Sequence, residues 1–146
     1  MPIRTFRGFM PNDSQDVITL HTNNGSTGYR IVNFQIMGPD GNSDIEQVVK
    51  IYKTDHSADI TTDIDFSDNR LLGAAIINDS LDRHYAPTPI VIFDKEVFNQ
   101  DIYVTSKGHD NPITCNYYIE LEQIKLDLNE NTVATLKDMR NSTQQQ

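Results

Sequence analysis

Between residues 16 and 128 of this 146-residue chain, apolar and polar side chains take turns, and the turns are counted in twos. Successive side chains of an extended strand point to opposite faces, so this rhythm gives each strand one apolar and one polar side. The three-and-four spacing of a helix is absent until the last stretch. Runs rich in Val, Ile, Tyr, Phe and Thr are divided by clusters of Asn, Asp, Gly, Pro and Ser, residues that favour turns. The pattern predicts an all-β fold, an antiparallel two-sheet sandwich, jelly-roll-like, with a short C-terminal α-helix.

The expected strands are 16–22, 28–37, 45–54, 70–77, 90–93, 98–105 and 114–128. In the second, Val32, Phe34 and Ile36 fall on one face and Tyr29, Ile31 and Asn33 on the other. Gly38-Pro39-Asp40-Gly41-Asn42 is the strongest turn signal, so 28–37 and 45–54 are expected to form a hairpin. In the last strand Tyr117, Ile119 and Leu121 sit at odd positions but Ile124, Leu126 and Leu128 at even ones, which places a bulge near Glu122-Gln123. Residues 55–69 are acidic and aperiodic, a long surface excursion.

Length allows one core, so 1–146 is read as a single β-sandwich domain with an N-terminal arm at 1–15 and a polar tail at 141–146. Asn129 is suited to cap a helix, and Val133, Leu136 and Met139 recur every three residues, so 129–140 is expected to be an amphipathic helix. A helix this short is marginal alone and must dock on its own sheet or on a neighbouring subunit.

Twelve Lys and Arg against 21 Asp and Glu leave a formal charge of −9. Nucleic-acid affinity comes mainly from basic residues that displace counterions, and no basic cluster is present, so neither nucleic acid nor an anionic membrane is expected as a partner. The acidity is expected to provide solubility or to complement a basic protein partner. No stretch approaches the ~18 apolar residues of a membrane span, and Met1-Pro2-Ile3-Arg4 opens no signal-peptide run, so synthesis in a cytoplasm is expected. The lone Cys115 can make no intrachain disulfide and reads as a small buried hydrophobe.

Several constellations were weighed for chemistry. Asp63, Asp65 and Asp68, with Asp55, His56 and Asp59 nearby, are the candidates for calcium, though they lack the Gly turn and distal Glu of a helix-loop-helix site; a solvated acidic loop explains them as well. His21, His56, His84 and His109 show no metal-ligand pairing and read as surface residues. Glu120 and Glu122 share a strand face, as a glycosidase pair can, but an outward polar row needs no further assumption. Ser14, Asp16 and His21 make no triad on composition alone, and the glycines at 25 and 28 lie between strands, not before a helix. No catalytic residue, cofactor or resident metal is expected.

The phrases Arg7-Gly8-Phe9-Met10-Pro11-Asn12, Thr22-Asn23-Asn24-Gly25-Ser26-Thr27-Gly28-Tyr29-Arg30-Ile31, Phe93-Asp94-Lys95-Glu96-Val97-Phe98-Asn99-Gln100-Asp101-Ile102-Tyr103 and Val133-Ala134-Thr135-Leu136-Lys137-Asp138-Met139-Arg140 carry a resemblance. They resemble small virion proteins of marine tailed bacteriophages, those infecting cyanobacteria and abundant ocean bacteria. The likeness covers most of the chain and is weakest at 55–69 and 107–111. It implies a non-enzymatic structural component of the particle, found in the virion after synthesis in the host bacterial cytoplasm.

The expectation is therefore a capsid decoration or cement subunit, bound to other virion proteins such as the major capsid protein, as a small homo-oligomer of which a trimer is one form. Ile3, Phe6 and Phe9, with Val133, Leu136 and Met139, are the expected assembly contacts. The alternative is a tail, neck or fibre-associated domain that binds host glycans through His84, Tyr85, His109, Asp110 and Asn111. A cell-envelope hydrolase built on Glu120 and Glu122, or on the acidic loop at 55–69, is the remote third.

Overall fold

A computed structural model describes residues 2–41, 45–79, 88–110, 112–127 and Thr135. Its strands are β1 (Ile3–Met10), β2 (Ser14–Ile18), β3 (Thr27–Met37), β4 (Ile45–Tyr52), β5 (Leu71–Asp79), β6 (Ile90–Ile92), β7 (Ile102–Gly108) and β8 (Cys115–Lys125). They form two antiparallel sheets, a three-stranded one of order β1-β8-β3 and a five-stranded one of order β2-β7-β4-β5-β6. The core between them joins Met10, Tyr29, Ile31, Phe34, Ile119 and Leu121 of the first to Ile18, Val49, Ile51, Leu72, Ile102 and Val104 of the second. Pairing is nested, first strand with last, second with seventh, fourth with fifth, and a lone bridge from Tyr29 to Phe98 stands where the third would meet its mate. That nesting is how a jelly roll is wound.

One residue decides which side chains of β3 reach this core. The β3·β8 register runs Ile31↔Leu121 and then Asn33↔Glu120, so Val32 is an extra residue opposite a single gap. A bulge of this kind flips the alternation on the strand that carries it. Tyr29 and Ile31 before it and Phe34 and Ile36 after it are consequently all buried. The bulge expected near Glu122-Gln123 is not there, since the ladder runs unbroken through both; the bulge is at Val32 of the neighbouring strand, and the two faces assigned to β3 are one face interrupted.

Other boundaries also move. Much of the expected N-terminal arm, 1–15, is β1, an edge strand whose exposed Arg4, Thr5 and Arg7 dilute its apolar signal. The strand expected at 16–22 is β2, which stops at Ile18 because the Leu20 and His21 amides turn to the Asp101 carboxylate instead of a ladder. β3 and β4 make no hairpin: the turn between them carries the chain from one sheet to the other. In the strand expected at 98–105, Phe98 makes only the bridge to Tyr29, and β7 begins at Ile102 and runs on to Gly108. The helix expected at 129–140 lies outside the described residues apart from Thr135, whose hydroxyl accepts from Asn99 Nδ2 at 2.9 Å; the tail at 141–146 lies wholly outside them.

Candidate functional site

The pleat that turns Tyr117, Ile119 and Leu121 inward sends the alternate residues of the three-stranded sheet outward, in rows that cross its strands. Phe9, Asn116 and Met37 form one row; Arg7, Tyr118 and Gln35 the next; then Thr5, Glu120 and Asn33; and last Ile3, Glu122 and Arg30. The first two rows line an open concavity of about 520 Å³. Within it Phe9 is 58% and Met37 70% exposed, two large apolar side chains facing water side by side with a guanidinium, two amides and a phenol.

The sheet beneath is held stiffly at this end. A Cβ on Gly8 would stand 2.5 Å from Cε1 of Tyr117, so only glycine lets that ring lie against β1. The Tyr117 hydroxyl donates to Asp16 Oδ2 at 3.0 Å, tying β8 to β2 of the opposite sheet. Burial, then the neighbouring Asp16 carboxylate, push the phenol well above its ordinary pKa, so it stays a donor.

In the other rows the carboxylates already have partners. Arg30 Nη2 donates to Glu122 Oε2 at 2.8 Å, and the Tyr118 hydroxyl donates to Glu120 Oε1 at 2.7 Å, a bond that raises the Tyr118 pKa. Glu120 and Glu122 lie two residues apart along one open strand face, not across a cleft from each other.

The outer face of the five-stranded sheet is different, because the excursion between β4 and β5 folds over it. Lys50, 2% exposed in the middle of β4, donates from Nζ to Asp63 O at 2.6 Å and to Thr61 Oγ1 at 3.3 Å. Lys107 Nζ donates to Ile60 O at 3.1 Å, and the His56 ring stacks on Tyr52 with centroids 3.6 Å apart. Gln15 of β2 fastens the near end, donating to Asp55 Oδ1 and accepting from the His56 amide. Burial lowers the Lys50 pKa, while Asp63, Asp59 and Asp68 pull it back up; burial pushes the Tyr52 phenol up to about 12 and lowers His56.

This arrangement accounts for the proposed calcium ligands. Asp68 receives Nε and Nη2 of Arg70 at 2.9 and 2.8 Å, and Asp65 receives the Ser67 amide and hydroxyl at 2.9 and 2.6 Å. Asp63 offers its carbonyl to Lys50. Among the described residues, no three His, Cys, Asp or Glu side chains gather as a metal site. The acidic loop is the partner of a buried lysine, and the signal for it was Lys50 itself, set between Val48, Val49, Ile51 and Tyr52 in a strand apolar on both faces.

Of the expected assembly contacts, Ile3 and Phe9 point outward from β1, Ile3 being 49% exposed, whereas Phe6 turns inward against the core. Val133, Leu136 and Met139 lie outside the described residues, as do His84, Tyr85 and Asn111 of the glycan-binding alternative. His109 Nε2 lies 3.3 Å from Asp110 Oδ1, with both side chains exposed. His21 Nδ1 lies 2.7 Å from Asp101 Oδ1, and His56 is buried instead of exposed. Cys115 is buried, with its thiol pushed up to about 11 by desolvation, hence an inert thiol. Sequence reasoning missed Arg7, Gln35, Met37, Asn116 and Tyr118, which come together only once the register is known.

No protein-family model, curated protein or solved structure matches the chain. No helix among the described residues is long and apolar enough to cross a membrane.

Proposed function

We propose that this chain is a non-enzymatic structural protein of a tailed-phage particle, a decoration or cement subunit that seats the outer face of its three-stranded sheet on the capsid shell. The observation that carries the reading is the contrast between two sheet faces, one roofed by the chain itself and the other left open with Phe9 and Met37 exposed. Exposed large hydrophobes that share one concavity and are rimmed by polar groups mark a surface that another molecule covers. The virion assignment draws on the resemblance, and the rigid, nested strands suit a part that holds a position and does not move. Jelly rolls serve many roles, so the fold alone carries none of this.

The test is attachment. Shells lacking decoration proteins should take up the purified chain to a fixed stoichiometry, and the double variant Phe9→Glu with Met37→Glu should fail to attach while melting like the parent. A chain that ignores shells, or that is found only in the tail of purified particles, ends the reading. One feature favours a second: Arg7, Gln35, Asn116 and Tyr118 around the concavity are groups that bond sugar hydroxyls. Binding on a glycan array, abolished by Tyr118→Ala, would establish a host-glycan receptor of the tail or fibre instead.

A further inference from the structure

The backbone of β1 also has a free side. Pro2 O accepts from the Gln123 amide at 2.9 Å, directly across the β1·β8 register. Main-chain groups of a strand point alternately to its two flanks, so even-numbered residues of β1 bond β8, and Ile3, Thr5, Arg7 and Phe9 direct theirs the other way. The bond from the Leu126 amide to Ser26 O agrees, since β8 then turns its even residues toward β3. Among the described residues no strand pairs with β1 on that flank. Open edges are usually guarded by shortness, bulges, proline or inward charge. β1 has eight residues, an unbroken register and no proline; of these guards it carries only charge, and Arg4, on the inward side, is engaged with the Tyr29 hydroxyl at 3.1 Å.

We propose that the occupant of this edge is a second copy of the chain: two β1 strands pair antiparallel about a two-fold axis at Phe6, merging two three-stranded sheets into one of six. The side chains select that register. Ile3 then opposes Phe9 of the partner subunit, Thr5 opposes Arg7 of the partner subunit, Arg4 opposes Gly8 of the partner subunit, and Phe6 meets its own copy. Sliding one pair in one direction sets Arg7 against Arg7; sliding in the other sets Ile3 against Arg7 and removes Phe9 from its apolar mate. Opposite-charge and apolar cross-strand pairs favour a register, and like charges oppose it.

The like charges of the two strands are answered from β8, not from β1 itself. β1 carries Arg4 and Arg7 and no acid in a chain of net charge −9. Glu120 lies next to Thr5 in its row, so the Arg7 of each copy points along a row that leads to the other's carboxylate. Four such residues per strand exchange about eight main-chain bonds in all. A two-fold pairing uses the same edge on both chains and therefore stops at two. The inference concerns copy number and does not depend on the viral reading.

Sedimentation of the full chain at rising micromolar concentrations should show a monomer passing to a dimer. Thr5→Pro should weaken the dimer at least tenfold, because that amide faces the partner, not β8, and its circular dichroism should match the parent's. An equimolar mixture of the Ile3→Cys and Phe9→Cys proteins should form an oxidised cross-linked pair, whereas neither protein alone should, the facing Cα atoms being about 5.5 Å apart only in the mixed pairing. A monomer at all concentrations, a trimer, a folded Thr5→Pro variant that dimerises like the parent, or cross-linking of either single variant alone would each overturn the proposal.

Discussion

The two outer faces of the sandwich start from the same alternating strands and reach opposite conditions. On the five-stranded sheet the chain spends the segment between β4 and β5 covering its own surface, burying Lys50 and stacking His56 on Tyr52. On the three-stranded sheet none of the described segments folds over the outer face, and Phe9 and Met37 are exposed. Burying a charge is costly unless it is paired and hydrogen-bonded, so the roof is an internal structural commitment. The bare face carries no such commitment, which leaves it available for contact with another molecule.

The sharpest test of that contrast is on the roofed side. Lys50→Ala should lower unfolding free energy by about 3 kcal/mol in urea titration, since it strands Asp63 O and removes the cation among Asp59, Asp63 and Asp68. If the loop were only a solvated surface feature, the change would stay within about 0.5 kcal/mol. Next comes the support beneath the bare face: Gly8→Ala should cost about 2 kcal/mol by driving a methyl into the Tyr117 ring, and Tyr117→Ala in the same chain should recover part of the clash.

Acid should loosen the roof in two steps. Burial lowers the folded pKa of His56, so the unfolded chain binds that proton first and stability begins to fall as pH drops below about 6.5. Burial would raise the Asp68 carboxyl, but the Arg70 side-chain and backbone bonds outweigh it and hold it low; its contribution is complete above the ordinary carboxylate pKa and is lost as pH falls through the depressed value. Thermal melts from pH 8 to pH 3 should show both, and Asp68→Asn should flatten the lower step and cost about 1 kcal/mol at neutral pH. The smallest effect belongs to the bare face. Met37→Ser should change stability by no more than about 0.5 kcal/mol, as an exposed side chain does; a larger loss would mean that this face is part of the fold's own support.

Much of this architecture was legible as periodicity. The core residues of β8, Tyr117, Ile119 and Leu121, and those of β7, Ile102 and Val104, follow from alternation alone. What escaped was whatever depends on partners distant in sequence. β1 was hidden because an edge strand with an exposed outer face has little need of a strong apolar rhythm, and its Arg-Thr-Phe-Arg reads as an arm. The Gly38-Pro39-Asp40 turn was visible, but a turn fixes a reversal, not which sheet receives the chain. Local carboxylate spacing suggested a metal at 63–68; what the spacing could not show is that the same loop offers the Asp63 carbonyl to Lys50 of the preceding strand. The concavity was invisible because its residues are brought together by register from three strands.

Val32 shows what a single position can encode. Because the ladder advances by one residue on β3 without advancing on β8, the alternation breaks there and resumes in phase with the core. Exchanging Val32 for another branched side chain keeps that break. Losing its codon would leave Asn33 opposite Glu120 and Phe34 opposite Ile119 with no interruption, so Phe34 and Ile36 would stay inward in a plain strand, and the chain should tolerate a change of length at this point as well as a change of spelling.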